Sequence, residues 1–152
     1  MQIYLIQHGD AKSEDEDSKR PLSEAGKMET KAIALKLREL GVSPMNIFHS
    51  PKLRAKETAE IFAITLTSKI EETDGLKPND DPDIIAEKIS LLENIHSYFF
   101  VGHLPNIERL ASLLIIKKTS PPIHISRNSA ILCLENSTGN WRIKYYLLPE
   151  MA

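Results

Sequence analysis

Two histidines and one arginine stand out in this sequence because each follows shortly after an apolar run that ends abruptly. These residues are His8, Arg54 and His103. An imidazole is able to attack phosphorus and to carry the transferred group covalently. An arginine pairs with phosphoryl oxygens through two parallel N–H groups, and a second histidine donates to the same oxygens as charge develops. In the absence of a nearby cysteine or serine motif, these residue types favour phosphoryl chemistry.

The surrounding elements explain why three positions so far apart in the chain are expected to meet. Apolar runs at 2–6, 46–49 and 97–101 are long enough for buried strands, and each is followed by a turn and a helical pattern. The carboxyl ends of parallel strands open into the crevice where an open α/β sheet holds its ligand. We therefore expect the three side chains to lie at one edge of a sheet.

Local signals set the expected bounds of the helices. Ser23 is predicted to cap the first helix and Gly41 to end it. Ser50 is predicted to cap the second, with Pro51 at its first position and its end near Leu66. A third helix opens at an Asp-Pro pair, and a fourth follows the third apolar run. The apolar residues that recur at helical spacing in the first helix are Ala25, Met28, Ala32, Leu35 and Leu40.

The predicted fold class is α/β. Strands separated by helices imply a three-layer α/β/α arrangement with a mainly parallel mixed sheet. A further strand is expected near 71–78. The segments 129–134 and 141–148 are predicted to pair as a hairpin, which adds an antiparallel strand near the C-terminus. No repeat or domain boundary is visible, so residues 1–152 are expected to form one domain.

Composition excludes several classes of partner. The net charge of −2 offers no general basic surface for nucleic acid. No apolar run reaches the roughly 18 residues of a membrane helix, and the first residues lack the pattern of a secretory signal. The single cysteine, Cys133, forms no internal disulfide, which fits a reducing compartment. We expect a cytoplasmic protein without nucleic-acid or membrane partners.

Four blocks of sequence carry a family resemblance. In chain order they are Gln7-His8-Gly9-Asp10-Ala11, Arg20-Pro21-Leu22-Ser23 with Gly26, Ser50-Pro51-x-x-Arg54-Ala55-x-x-Thr58-Ala59, and Val101-Gly102-His103-Leu104-Pro105. They resemble the histidine phosphatase superfamily, also called phosphoglycerate-mutase-like. Within it they are most similar to the short SixA-type branch of phosphohistidine phosphatases. The blocks extend from the N-terminus to about two thirds of the chain, and the third block is the most specific.

The resemblance implies a role for each matching position. His8 is implied to be the nucleophile that becomes phosphorylated, while Arg54 and His103 bind the phosphoryl group. No metal or organic cofactor is implied. The implied partner is a protein that carries phosphohistidine, or a small phosphorylated substrate. The positions implied to complete the substrate pocket are Gln7, Gly9 and Arg20.

Larger relatives in this superfamily carry a carboxylic general acid near the site, and this sequence shows no evident counterpart. We interpret the acids in the corresponding part of the chain as solvated loop charges. An alcohol leaving group benefits from protonation, whereas a phosphorylated imidazole departs with its ring already protonated. A site without a dedicated acid therefore favours P–N over P–O substrates. The acids concerned are Glu71, Glu72, Asp80 and Asp81.

Gln7 is where the chain departs from the family signature, which has arginine at this position. Glutamine keeps neutral donors but no permanent charge, and losing one well-placed donor costs on the order of 100- to 1000-fold in rate. Two alternatives to a phosphohistidine phosphatase therefore stay open. One is a catalytically weak or inactive domain that binds phosphorylated partners, and the other is a phosphatase for small phosphomonoesters. A metal-binding role is disfavoured, because His49, His96 and His124 lack paired ligand spacing.

Overall fold

The computed structural model describes residues 1–125 and 127–152. Over these residues, strands and helices follow one another much as the sequence patterns predict. In chain order the elements are β1 (Gln2–Gln7), α1 (Glu24–Glu39), β2 (Asn46–His49), α2 (Leu53–Leu66), β3 (Lys69–Glu72), α3 (Pro82–Ser90), β4 (Ser97–Gly102), α4 (Asn106–Ile116), β5 (Ile131–Asn136) and β6 (Trp141–Leu147), with a short 3₁₀ turn at Pro149–Met151.

All six strands belong to one sheet in the order β3-β2-β4-β1-β5-β6. Strand β1 is parallel to β4, and β2 is parallel to both β4 and β3. Strand β5 runs antiparallel to both of its neighbours, β1 and β6. The predicted α/β class is therefore confirmed, including the mainly parallel mixed sheet and the antiparallel strand near the C-terminus.

Strand β1 shows how the sheet separates two apolar cores. Successive side chains of a strand point to opposite faces, so Ile3 and Leu5 pack in one cluster while Tyr4 and Ile6 pack in the other. The first cluster is completed by α3 and α4, and the second by α1 and α2. Each fully buried aliphatic side chain contributes about 1.5–3 kcal/mol. Both faces are therefore covered, and the three-layer prediction is confirmed.

Helix α1 begins as predicted but buries a different face. Ser23 is its N-cap, and the Ser23 hydroxyl oxygen accepts the Gly26 N–H at 3.0 Å. The apolar face expected from the sequence is wrong, because Met28 is 74% exposed and Leu40 is 57% exposed. Glycine and threonine take part in the real contact face, so apolar periodicity alone does not reveal it. The buried residues of α1 are Gly26, Thr30, Ile33, Ala34 and Leu37.

Helix α2 begins later than predicted. The Ser50 N–H donates to the Val101 carbonyl of β4 at 3.0 Å, so pairing with β4 continues one residue beyond the end of β2. Lys52 is the N-cap and makes no side-chain cap bond. The predicted cap at Ser50, with Pro51 as first helical residue, is therefore wrong, whereas the predicted end at Leu66 is confirmed.

Two strands also differ from their predicted bounds. Strand β3 lies at Lys69–Glu72, earlier than the expected 71–78, and its four exposed residues form an edge of the sheet. Strand β5 begins at Ile131 rather than Ser129, because Ser129 has a φ of +59° and turns the chain. Within the described residues, no helix combines the length and apolar character needed to cross a bilayer.

Candidate active site

The carboxyl ends of β1, β4 and β2 lie level with one another, since Gln7 of β1 pairs with Gly102 of β4. The residues that immediately follow these strands, His8, Ser50 and His103, therefore meet at one edge of the sheet. The two imidazole ring centroids of the histidines are 4.8 Å apart, with the rings inclined by 57°. The structure thus brings together two histidines that are 95 positions apart in the chain, a separation given directly by their numbers.

The His8 ring is fixed through both of its nitrogen atoms. Nδ1 lies 2.7 Å from the Gly9 carbonyl oxygen, which only accepts, so Nδ1 carries the ring proton. Nε2 therefore has the lone pair, and the Nε–H of Arg54 donates to it at 3.2 Å. The Gly9 N–H donates to the Thr58 hydroxyl at 3.0 Å, and that hydroxyl donates to the Arg54 carbonyl at 2.7 Å. One short network therefore connects the end of β1 with the first turns of α2.

Gly9 allows this close approach because it has no side chain. A Cβ at this position would lie 2.7 Å from Thr30 Oγ1 and 3.1 Å from a methyl group of Leu22. The backbone of Gly9 is therefore in direct contact with α1 and the loop before it. The predicted pocket position at Gly9 contributes its main chain to the arrangement rather than a functional group.

Both site histidines are held neutral. Burial lowers the pKa of His8 to about 4; the bond to the Gly9 carbonyl opposes this shift, and the charges of Arg54 and Arg20 add to it. Burial also lowers the pKa of His103 to about 3, helped by the neighbouring His8 and Arg54. At neutral pH the His8 lone pair is therefore available for bond formation without a prior loss of a proton.

The two arginines act on the site histidines in different ways. Arg54 is partly buried, and burial followed by the charge of Arg20 lowers its pKa. Arg20 has a φ of +50°, and its Nε–H donates to the Lys12 carbonyl at 3.1 Å. Its charge lowers the pKa of both site histidines, so it lies within electrostatic reach of them. Arg54 therefore contacts the reactive nitrogen directly, whereas Arg20 acts on the site histidines through its charge.

Gln7 contacts the same edge of His8 as Arg54. The Gln7 amide nitrogen lies 3.4 Å from His8 Nε2 and donates to the Asn128 side-chain oxygen at 3.3 Å. The amide group of Asn128 in turn donates to an Asp10 carboxylate oxygen at 3.4 Å. The Gln7 side-chain oxygen is buried and has no partner among the described residues. Gln7 therefore supplies a neutral donor where the family signature has a charge.

Three contact residues were not singled out from the sequence as parts of the site. Thr58 belongs to the matching block at Ser50–Ala59, and its position four residues after Arg54 on α2 is a usable signal. Ser50 was interpreted as a helix cap, whereas its hydroxyl contacts His103. Asn128 lies in a turn far along the chain, and no local pattern marks it.

The four candidate acids are occupied elsewhere or exposed. Asp80 accepts backbone N–H groups from Gly75 at 3.1 Å and Lys77 at 3.0 Å, which braces a turn. Asp81 caps α3. Glu71 pairs with Lys88 at 3.3 Å. Glu72, the last residue of β3, is exposed.

The remaining histidines make local contacts. His49 is buried and its Nδ1 lies 2.9 Å from the Ser50 carbonyl. His96 pairs with Glu93 at 3.2 Å, and His124 with Glu108 at 3.4 Å. Within residues 1–125 and 127–152, no group of three or more His, Cys, Asp or Glu side chains is arranged to hold a metal ion.

Comparisons with known proteins identify the family of this chain. The model of the histidine phosphatase superfamily (branch 1) matches residues 3–80. The phosphohistidine phosphatase SixA of Escherichia coli (strain K12) is 30% identical over 150 residues, covering 94% of this chain and 93% of the relative. An uncharacterized protein of Picosynechococcus is 29% identical over 140 residues, covering 86% and 83% of the two chains.

Solved structures show the same fold. The protein histidine phosphatase SixA complexed with tungstate has a TM-score of 0.88 at 27% identity, and 99% of each chain is covered. A structure from Agrobacterium tumefaciens has a TM-score of 0.80 at 23% identity with 97% of each chain covered, and shows the fold alone. With a family model over half of the chain and a relative over nearly all of it, this protein belongs to the histidine phosphatase superfamily, in its SixA-type branch, and is a phosphatase.

Proposed function

We propose that this phosphatase removes the phosphoryl group from phosphohistidine in a protein, through a covalent phosphohistidine formed on His8 and without a metal ion. Arg54 and His103 bind the phosphoryl oxygens, and residues 1–152 act as one domain. A relative of almost the same length is named as a phosphohistidine phosphatase, which supports this substrate class. The residues proposed to complete the substrate pocket are Gln7, Gly9 and Arg20.

The observation that carries the proposal is that the two nitrogens of His8 differ, since Nδ1 holds the ring proton and Nε2 holds the lone pair. The Gly9 carbonyl fixes the proton on Nδ1 at 2.7 Å, so the lone pair lies on Nε2, beside the Arg54 guanidinium at 3.2 Å. A nucleophile needs a free lone pair next to the groups that bind the reacting atom. His103, whose ring lies beside this one, has its Nε2 3.0 Å from the Ser50 hydroxyl instead of facing an arginine, so His8 is the better candidate for the attacking group.

Positive charge around His8 suits a phosphoryl group. Arg54 presents a charged donor at the reactive nitrogen, and Arg20 adds a second charge within electrostatic reach. Preorganised donors aimed at developing charge are usually the largest single contribution to catalysis. A substrate anion therefore replaces the hydrogen bond that Arg54 makes with His8 in the free protein.

The two chemical steps balance without a general acid. In the first step the His8 Nε2 lone pair bonds to phosphorus while the bond to the substrate imidazole breaks, and that imidazole leaves neutral because its other nitrogen already carries a proton. In the second step water bonds to phosphorus and the bond to His8 breaks. The water oxygen and its protons leave with inorganic phosphate, and His8 regains its lone pair.

The surroundings of the candidate acids support a P–N substrate. Asp80 and Asp81 hold a turn and a helix terminus, and Glu71 is engaged with Lys88. An alkoxide leaving group from a phosphoserine needs a proton donor, which is typically worth 10²- to 10⁴-fold in rate. We expect kcat/KM on a phosphohistidine protein to exceed that on a phosphoserine peptide of matched sequence. Comparable values on the two substrates would contradict the proposed substrate class.

The covalent step is tested by quenching the protein during turnover of a phosphohistidine protein that carries labelled phosphate. We expect label on the phosphatase that survives base and is lost in acid. The label should be absent from His8→Gln and present in the matched control His96→Gln, whose ring pairs with Glu93. Acid-stable label, or label retained by His8→Gln, would contradict the mechanism. Turnover that survives EDTA is the expected result for a reaction without a metal ion.

A further inference from the structure

Ser50 contacts His103, the second histidine of the site, and has no part in the proposed reaction steps. Its hydroxyl oxygen is 3.0 Å from His103 Nε2, and both residues are buried, with 0% of Ser50 and 2% of His103 exposed. Ser50 follows β2 and His103 follows β4, two neighbouring parallel strands. The contact therefore links two adjacent strand ends at the site.

His103 has one ring nitrogen bonded and one without a partner. Nε2 is taken by Ser50, whereas Nδ1 is buried and has no hydrogen-bond partner among the described residues. Phosphoryl oxygens only accept hydrogen bonds. If His103 binds them through its remaining nitrogen, Nδ1 must carry the proton and Nε2 must then carry the lone pair.

Burial, followed by the nearby charges, lowers the pKa of His103 and keeps its ring neutral, so one of two tautomers must be selected. The groups that act on it electrostatically are His8, Lys52, Arg54 and Arg20. None of them is a carboxylate that would stabilise an imidazolium. A neutral imidazole has a single proton, and the partner of one nitrogen decides which nitrogen holds it.

Ser50 is suited to act as a donor toward His103. The Lys52 N–H donates to the Ser50 hydroxyl oxygen at 3.4 Å, which occupies a lone pair of that oxygen. The oxygen keeps a second lone pair, so its contacts allow either direction, and the hydroxyl proton is free to be donated to His103 Nε2. The opposite arrangement, with Nε2–H donating to Ser50, would turn the Nδ1 lone pair toward any bound anion.

We propose that Ser50 is a positioning residue that donates its hydroxyl proton to His103 Nε2 and thereby keeps the proton of the neutral ring on Nδ1, where it donates to the phosphoryl group. The inference rests on the proposed role of His103 in binding that group. His8 and His103 then have the same tautomer, with the proton on Nδ1, but a different ring nitrogen is held in each. An acceptor, the Gly9 carbonyl, holds Nδ1–H of His8, while a donor, Ser50, holds Nε2 of His103.

Nitrogen-15 NMR of the histidine-labelled protein tests the tautomer without any substrate. Protonated and unprotonated nitrogens of a neutral imidazole have well-separated shifts, and the His103 signals are assigned by their loss in His103→Asn. In the wild type at neutral pH we expect a protonated Nδ1 and an unprotonated Nε2. A protonated Nε2 in the wild type would overturn the proposal, whatever the activity of the protein.

Substitution then links the tautomer to the rate. Ser50→Ala removes the donor, so we expect the His103 proton to move at least partly to Nε2 and kcat to fall about 10- to 100-fold with little change in KM. Ser50→Thr keeps the hydroxyl and should restore the wild-type shifts. The matched control is Ser68→Ala, because the Ser68 hydroxyl of the wild type donates to the Pro44 carbonyl outside the site.

The outcomes separate this inference from the proposed function. A folded Ser50→Ala protein with wild-type His103 shifts and wild-type kcat would overturn the positioning role. If Ser50→Ala does not fold, the wild-type spectrum and Ser50→Thr still decide the tautomer. A wild type with the expected shifts but no label on His8 during turnover would refute the covalent mechanism and leave the tautomer assignment supported.

Discussion

Two side chains approach the reactive nitrogen of His8 from opposite elements, and they differ in charge. Arg54, in the first turn of α2, donates to His8 Nε2 at 3.2 Å. Gln7, the last residue of β1, has its amide nitrogen 3.4 Å from the same atom. Both are placed to be donors, but only the guanidinium carries a permanent charge. The charge that faces a bound anion is therefore concentrated on the α2 side of the site, which carries Arg54, and not on the β1 side, which carries Gln7.

The groups that surround Arg54 and Gln7 also differ in charge. The Arg54 carbonyl accepts the Thr58 hydroxyl at 2.7 Å within α2. Among the described residues the Arg54 side chain forms no salt bridge, and its Nε–H donates to His8 Nε2. Gln7 is tied through Asn128 to the carboxylate of Asp10. The β1 side thus ends in a negative charge and the α2 side in a positive one. Substitutions on the two sides should differ in size and in sign.

The largest effect is expected from removing the His8 ring, because Arg54 and Gln7 both approach its Nε2. His8→Ala removes the proposed nucleophile and should abolish turnover of a phosphohistidine protein. The side chain is buried but belongs to neither apolar core, so its removal leaves a cavity at the site and the fold should persist. The measurement is multiple-turnover phosphate release by a protein whose circular dichroism matches the wild type. Sustained turnover by the folded variant would exclude His8 as nucleophile.

Removing the charge on the α2 side is expected to be the next most costly change. Arg54→Gln removes the charge and, because the side chain is shorter, withdraws the donor from His8 Nε2, so kcat/KM should fall about 100- to 1000-fold, the usual cost of losing a preorganised donor in a transition state. Arg38→Gln is the control, because Arg38 is exposed in the last turn of α1. A loss of less than tenfold in Arg54→Gln would show that the charge at this position is not needed.

The sequence was sufficient to locate the α2 side of the site. Arg54 follows a strand within a few residues, and the spacing of Ser50, Arg54 and Thr58 matches a specific family block. Parallel strand ends then oblige these residues to meet His8 and His103 at one edge. The strand-to-helix units, the sheet class and the hairpin followed from patterns of similar strength.

The β1 side depended on contacts that no local pattern encodes. Asn128 reaches Gln7 across 121 positions in the chain, from a turn formed at Ser129, whose φ is +59°. Such a contact is decided by how the end of β1 and the start of β5 pack, not by periodicity. The contact face of α1 was missed for a related reason, since Gly26 and Thr30 are buried there by close packing against neighbouring segments.

Adding a charge on the β1 side should produce a smaller effect of opposite sign. Gln7→Arg restores the family residue, so we expect kcat/KM on a phosphoramidate to rise by roughly tenfold, equivalent to about 1.4 kcal/mol. Binding of vanadate or inorganic phosphate should tighten as well. Gln2→Arg is the matched control, because Gln2 is the same residue type at the other end of β1.

Two other results of this substitution would be informative. Lower activity in a folded Gln7→Arg protein would mean that Asn128 and Asp10 have rebuilt this side around the amide, and that the wild-type arrangement is the better one. A wild type that binds a phosphorylated protein tightly, and turns it over neither before nor after the change, would favour a binding domain over the proposed catalyst.

The smallest expected effect is on the titration of His8 itself. Burial lowers its pKa to about 4; the Gly9 carbonyl and the Asp10 carboxylate oppose the shift, while Arg54 and Arg20 add to it. A further cation in Gln7→Arg should lower this pKa again, because it disfavours a second proton on the ring, and Arg54→Gln should raise it. Rates at neutral pH do not report these changes, since His8 is already neutral there in all three proteins.

The titration is read from the ring carbon signals of His8 by NMR, from neutral pH down through pH 4, with the assignment taken from their loss in His8→Ala. His8 in the native state binds fewer protons than an unfolded histidine between about pH 6.5 and its own pKa, so stability falls as the pH drops through that range. Backbone spectra recorded alongside check that the protein remains folded. Shifts of the same sign in Gln7→Arg and Arg54→Gln would contradict the comparison, because the first adds a charge beside Nε2 and the second removes one.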